Sequence, residues 1–143
     1  MGLLNRYEKM RMDKDAIPKA ESRNRSGGKK RMNRTIRVSA AGDILIMKRL
    51  LPGYQDVLPI REFLMQGEVR MANLETTISD GSCYASAYSG GTWLTADAKC
   101  LEDTLRYGFN FLGISNNHTM DYSYEGLAST ISELKKKDVA YAG

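Results

Sequence analysis

No CxxC pair, no secretory h-region, no apolar run of membrane-spanning length and no internal repeat occur in this sequence. The two cysteines, Cys83 and Cys100, have neither metal-ligand nor redox spacing and read as ordinary thiols. A disulfide between them would require an exported protein. Without roughly 20 consecutive apolar residues there is no transmembrane candidate. The N-terminal stretch is polar, which excludes a signal peptide, so the chain as written reads as cytoplasmic. Histidine is scarcest of all: His118 is the only one.

What is present is unevenly placed. The 143 residues suffice for one domain at most, and at 42% hydrophobic they can form a core. Residues 1–34 hold eleven Lys/Arg against four Asp/Glu, and residues 35–143 hold ten against thirteen. The net +4 therefore belongs to a basic leader over 1–34, while the domain over 35–143 is slightly acidic. The leader lacks hydrophobic periodicity and reads as a disordered or weakly helical, solvated extension. Met32 offers an alternative start just before the ordered part. A basic tail can meet nucleic acid or anionic lipid, but a solvated extension is the simpler reading.

From Thr35 onward strands and helices alternate. Thr35 to Asp43 reads as a buried strand and Pro59 to Gln66 as a short helix burying Ile60, Phe63 and Leu64. Glu68 to Asn73 is the second strand, and a long loop runs from Thr76 to Thr95. Asp97 to Tyr107 is a helix stopped by Gly108, Phe109 to Ser115 the third strand, and Ser123 to Lys137 a helix with Leu127, Ile131 and Leu134 inward. Val139 to Gly143 opens a fourth strand. The order β-α-β-α-β-α-β predicts an α/β fold with a mostly parallel sheet.

That topology gathers three polar clusters. Asp43 follows the first strand, Asn73 and Glu75 the second, and Asn116, Asn117, His118 and Asp121 the third. In a parallel sheet these strand ends share one edge, where open α/β sheets bind ligands. Two carboxylates, amide oxygens and one imidazole suit Mn, Fe, Zn or Mg and not a soft thiolate metal. Such a cation polarises a phosphoryl or carbonyl oxygen and generates a nucleophilic water, and His118 can ligate or protonate a leaving group.

Each residue also has a plainer role. His118 can be a loop hydrogen-bonder, Asp43 an Asx-turn former and Asn116-Asn117 a turn. Asp121 can shape the helix entry with Ser123 as cap. Trp93 reads as a loop anchor, and Tyr84, Tyr88, Tyr122 and Tyr124 as surface or half-buried. What weighs against these readings is that all are needed together at one sheet edge.

Ala41-Gly-Asp-Ile44, Ala72-Asn-Leu-Glu-Thr76, Gly108-Phe-Asn-Phe-Leu-Gly-Ile-Ser-Asn-Asn-His-Thr-Met-Asp-Tyr122 and Gly126-Leu-Ala-Ser-Thr-Ile-Ser-Glu-Leu134 stand in the order seen in the CapA family. The chain resembles these poly-gamma-glutamate capsule biosynthesis proteins over residues 36–143. The resemblance implies a fold similar to calcineurin-like metallophosphoesterases, an α-β-β-α sandwich with a dinuclear divalent-metal site at strand ends. By position, Asp43 looks like the first metal-ligand aspartate and Asn117 like the metal-ligand asparagine. His118 looks like the histidine that stabilises the transferring group, and Asn73 or Glu75 stands near the bridging carboxylate.

Three departures follow. Leu45 occupies the place of a usual histidine, Ser123 stands where glycine is common, and the family continues past residue 143 with further histidines. The chain is thus expected to hold the N-terminal half of the domain, with an unpaired edge and an uncovered face. The implied substrate is polyglutamate or a phosphoester. The implied partners are a second copy or a capsule-assembly component, and the implied location of full-length members is the cell envelope. The expectation is a metal-dependent hydrolase; the competing expectations are a non-catalytic relative serving as scaffold and a nucleic-acid or membrane-surface binder acting through its leader.

Overall fold

The computed structural model describes residues 34–89 and 91–143. The expected leader lies outside them except for Arg34, whose guanidinium pairs with Glu68 at 2.6 Å.

Four strands form one parallel sheet in the order β1-β2-β5-β6: β1 (Val38–Ile44), β2 (Val69–Leu74), β5 (Phe111–Gly113) and β6 (Ala140–Ala142). The helices between them are α1 (Val57–Leu64), α2 (Ala98–Leu105) and α3 (Ser123–Lys136). The predicted alternation is therefore present, with one addition. The long loop begins and ends in a second, two-stranded parallel sheet, β3 (Thr77–Ile78) on β4 (Thr95–Ala96). Two-residue strands carry no period-two pattern, so sequence periodicity could not show them.

One face of the large sheet carries the core. Ala72, Leu74, Leu112 and Ile114 pack in one cluster with Leu64 of α1, Cys100 and Leu101 of α2, and Leu134 of α3. Leu127 and Ile131 pack against its margin, as the helical spacing predicts. On the opposite face the register lines up Ala40, Met71, Phe111 and Ala140 across all four strands. Of these only Phe111 is half-buried; the other three are exposed. Parallel sheets are ordinarily covered on both faces.

The helices differ from expectation in detail. Helix α1 starts two residues before Pro59, which keeps the proline in the first turn, where a missing N–H costs nothing. The buried residues are Val57 and Leu64, seven apart; Ile60 and Phe63 of the expected inward face are 49% and 63% exposed. Gly67 does more than stop the helix, since a Cβ there would lie 2.6 Å from the Ser39 backbone nitrogen. Asp97 caps α2, accepting from the amides of Lys99 and Cys100. Ser123 does not cap α3: it is the first helical residue, at φ +56°, and Tyr122 occupies the cap position without a side-chain bond.

An ion pair between buried Asp103 and half-exposed Arg49 fastens the β1–α1 connection to α2. The Asp103 carboxylate accepts from Arg49 Nε at 2.6 Å, Arg49 Nη2 at 3.3 Å and the Leu50 amide at 2.9 Å. The Arg49 hydrogen bonds hold the Asp103 carboxyl below the usual aspartate range, against an opposing push from burial. Cys83 and Cys100 are both free thiols.

Candidate functional site

Parallel registers bring the ends of β1, β2 and β5 to one edge. Asp43 pairs with Asn73, and Asn73 with Gly113. The first pairing depends on an irregularity. Ala40 is opposite Met71 and Asp43 opposite Asn73, so β1 has two residues, Ala41 and Gly42, where β2 has only Ala72. This is a β-bulge, one residue inserted into one strand. In a regular strand residues 40 and 43 point to opposite faces. The bulge resets the alternation, so Asp43 shares a face with Asn73 while Ile44 turns into the core beside Leu74.

From Asp43 a chain of hydrogen bonds crosses the edge. Asn73 Nδ2 donates to Asp43 Oδ1 at 2.8 Å. Asn116 Nδ2 donates to Asn73 Oδ1 and to the Leu74 carbonyl, both at 3.0 Å. The other end of the Asn116 amide, Oδ1, accepts from the His118 backbone N–H at 2.9 Å. Asn116 therefore makes a local turn and a cross-strand link at once. Thr119 locks the same turn, donating from Oγ1 to the Ile114 carbonyl and accepting from the Asn116 amide at 2.8 Å.

His118 and Asp121 form a buried dyad. They are 8% and 1% exposed, with Nδ1 and Oδ2 2.8 Å apart. An ionised carboxylate can only accept, so Nδ1 donates its N–H to Asp121, and Nε2 is the ring nitrogen that this pair leaves for another contact. Asp121 Oδ2 also accepts from the Leu94 amide at 2.7 Å, and the Asp121 carbonyl accepts from the Ser86 amide at 2.8 Å. Trp93 completes the fastening, as a loop anchor should: its indole N–H donates to the Ser86 carbonyl at 3.0 Å. The long loop is thus tied to the histidine segment through Asp121.

The remaining predicted residues follow the same strand ends. Glu75 is half-buried, and its backbone N–H donates to the Ile44 carbonyl at 3.3 Å. Asn117 is exposed on the turn. Leu45, in the place of a family histidine, is 50% exposed. Sequence reasoning missed the bulge and both loop amides. A backbone N–H leaves no trace in residue identity, and Ala41-Gly42 hints at the bulge only through small side chains.

For a divalent cation these donors fit in kind, being hard carboxylate and amide oxygens with one imidazole. They fall short in number: among the described residues no three His, Cys, Asp or Glu side chains gather closely enough to hold a metal ion. Among the described residues, too, no helix is long and apolar enough to cross a membrane.

Two proteins of Sinorhizobium fredii (strain NBRC 101917 / NGR234), the uncharacterized proteins y4sH and y4uA, are each 29% identical to this chain over 111 residues. The match covers 73% of this chain and 23% of each relative, so the chain spans about a quarter of their length. The family model described as bacterial capsule synthesis protein PGA_cap matches residues 12–143. That match reaches upstream of residue 36, where the motif resemblance begins, into the basic segment. The family implies a metallophosphoesterase-like fold, in agreement with the parallel α/β sheet and its polar strand-end edge. With the matched residues covering nearly the whole sequence, this chain belongs to the bacterial capsule synthesis protein family.

Proposed function

We propose that this chain carries the His118 and Asp43 part of a hydrolase-type site in capsule polymer metabolism. The observation that carries the reading is the hydrogen-bonded chain from Asp43 through Asn73 and Asn116 to His118 and Asp121. It spans three parallel strand ends, and turn formation alone requires no such span. In this reading Asp121 orients the imidazole and fixes its tautomer. His118 Nε2 then takes up or delivers a proton at the oxygen of the bond being cleaved. Asn73 holds Asp43 from one side, keeping its second carboxylate oxygen for a ligand.

A divalent cation of the Mn, Fe, Zn or Mg type, one or a pair, would be held by Asp43, Asn117 and one further donor. Asn73 already uses both ends of its amide in the network, which favours Glu75 for that place. A bound cation would supply charge stabilisation and an acidified water. The donors counted above do not complete such a site, so the missing ligands would come from another segment or partner. The polymer acted on would be polyglutamate or a phosphoester. The partner would be a second copy or a capsule-assembly component, at the cell envelope.

The test is a thermal melt with and without excess Mn²⁺, repeated for Asp43→Asn. Ligand at about one hundred times its Kd stabilises by roughly 2.7 kcal/mol, several degrees for a domain of this size. A rise in Tm that the variant loses supports the reading. No rise in either protein refutes metal binding by this chain. A second reading, a non-catalytic relative serving as scaffold, is favoured by the incomplete donor set. It predicts cooperative folding, no metal shift, and no phosphoesterase or polyglutamate-cleaving activity that depends on His118.

A further inference from the structure

A small cleft opens beside His118, between β3 and α3. Its polar lining consists of Thr76, Thr77, His118, Thr119 and Thr130, and Leu74, Ile114 and Leu127 close the rest. Its volume of ≈ 10 Å³ is enough for about one water molecule.

The hydroxyls around it are not equivalent. Thr130 Oγ1 donates to the Gly126 carbonyl and accepts from the Ile78 amide, both at 2.9 Å. Thr119 Oγ1 donates to Ile114 and accepts from Asn116. Thr76 Oγ1 reaches the Ile44 carbonyl at 3.4 Å. Thr77 Oγ1 alone, among the described buried side-chain polar atoms, has no hydrogen-bond partner. Thr77 is only 4% exposed. Its methyl packs toward α3, where a Cβ on Gly126 would lie 2.9 Å from Thr77 Cγ2.

An unsatisfied buried hydroxyl is costly, and native proteins rarely keep one. A water needs two to four polar partners to be held. This cleft offers Thr77 Oγ1, the spare lone pairs of the neighbouring threonines, and the imidazole of His118, whose Nδ1 is already occupied by Asp121. We propose that the cleft is a binding site for one ordered water molecule, bridging Thr77 Oγ1 to His118. Thr77 is then a positioning residue, setting the inner environment of the imidazole through that water. The site stands whether or not His118 is catalytic.

The experiment has two arms on the full chain. A crystal structure of the wild type at high resolution should show one ordered water within hydrogen-bond distance of Thr77 Oγ1 and the imidazole. An empty cleft, or a water that touches Thr77 alone, overturns the proposal. In the second arm, Thr77→Val replaces the hydroxyl by a methyl of similar size. A lone hydroxyl among apolar atoms would make valine neutral or stabilising. A bridging water predicts a Tm lower by about 4–8 °C, with Thr77→Ser restoring most of it. Because the protein has a single histidine, its imidazole ¹⁵N resonances are unambiguous. They should shift in Thr77→Val and return toward wild type in Thr77→Ser. A Tm equal to or above wild type in Thr77→Val, with unmoved resonances, overturns the proposal.

Discussion

Removing the Asp121 carboxylate should loosen two segments at once. Asp121 is 1% exposed, and its Oδ2 accepts from His118 Nδ1 at 2.8 Å and from the Leu94 amide at 2.7 Å. Asp121→Ala leaves both donors in a buried place without that acceptor. Each orphaned buried donor costs about 1–3 kcal/mol, so the pair costs roughly 2–6 kcal/mol. At about 4 °C per kcal/mol for a domain of this size, the smallest of these losses lowers Tm by roughly 8 °C. Asp121→Asn keeps one oxygen acceptor and should lose about half as much. Circular dichroism melts measure this directly. Hydrogen exchange adds the location: Leu94 and Ser86 amides should exchange faster in Asp121→Ala, while Leu112 in the sheet keeps most of its relative protection. A Tm within about 4 °C of wild type would refute the idea that Asp121 ties the long loop to the histidine turn.

Three further outcomes follow from the packing. Leu112 is fully buried on the core face and Met71 is 37% exposed on the other; Leu112→Ala should cost about 2–5 kcal/mol and Met71→Lys within about 0.5 kcal/mol of nothing, by denaturant melts. Gly126→Ala should destabilise despite alanine's helix propensity, because its Cβ would sit 2.5 Å from Tyr122 Cβ and 2.9 Å from Thr77 Cγ2; overpacking of that kind costs roughly 1–3 kcal/mol, and a rise in Tm would contradict the contact. The Asp103 carboxyl is held below its ordinary range, mainly by its hydrogen bonds from Arg49. The folded state therefore binds fewer protons than the unfolded one in acid. Its contribution is fully present above the unfolded aspartate value, about 3.9, and is lost as pH falls through the lower folded value. Asp103→Asn should flatten that acid limb of the stability profile; an unchanged slope between pH 5 and the acid midpoint would refute the assignment (roughly the window of the linkage).

The strand-end edge was readable because it rests on one topological rule and residue identity. Three polar clusters, each just after an apolar run, must meet if the strands are parallel, and the order β1-β2-β5-β6 is parallel throughout. The turn role read for Asn116 does not exclude a contact across the strand ends. Asn116 makes the expected turn with His118 and also bonds across to Asn73. Element boundaries were less readable, since two-residue strands such as β3 have no period and Ser123 resembles a cap by type alone. The inward face of α1 was half readable: Leu64 is buried as expected, but its buried partner is Val57, seven residues earlier and before the expected helix start, while Ile60 and Phe63 are exposed.

The bulge at Ala41-Gly42 shows most clearly what a one-dimensional pattern conceals. Without it, Asp43 would follow Ile36, Val38 and Ala40 in a strict alternation and project from the opposite face, away from Asn73. One inserted residue separates a strand that presents Val38 and Ala40 to the uncovered face from an end that presents Asp43 to the same side and Ile44 to the core. The polar network and the core contact of Ile44 both depend on that single change of phase. Deleting Gly42 would remove the extra residue, so that Ala41 alone stands opposite Ala72 and Asp43 still meets Asn73, with Ile44 still beside Leu74. Inserting an alanine after Gly42 instead adds a second change of phase, which should turn Asp43 away from Asn73 and Ile44 out of the core. The insertion should therefore lower Tm by more than the deletion in circular dichroism melts. A deletion that destabilises as much as the insertion would refute the reading of Ala41-Gly42 as a one-residue bulge that sets the phase of the site.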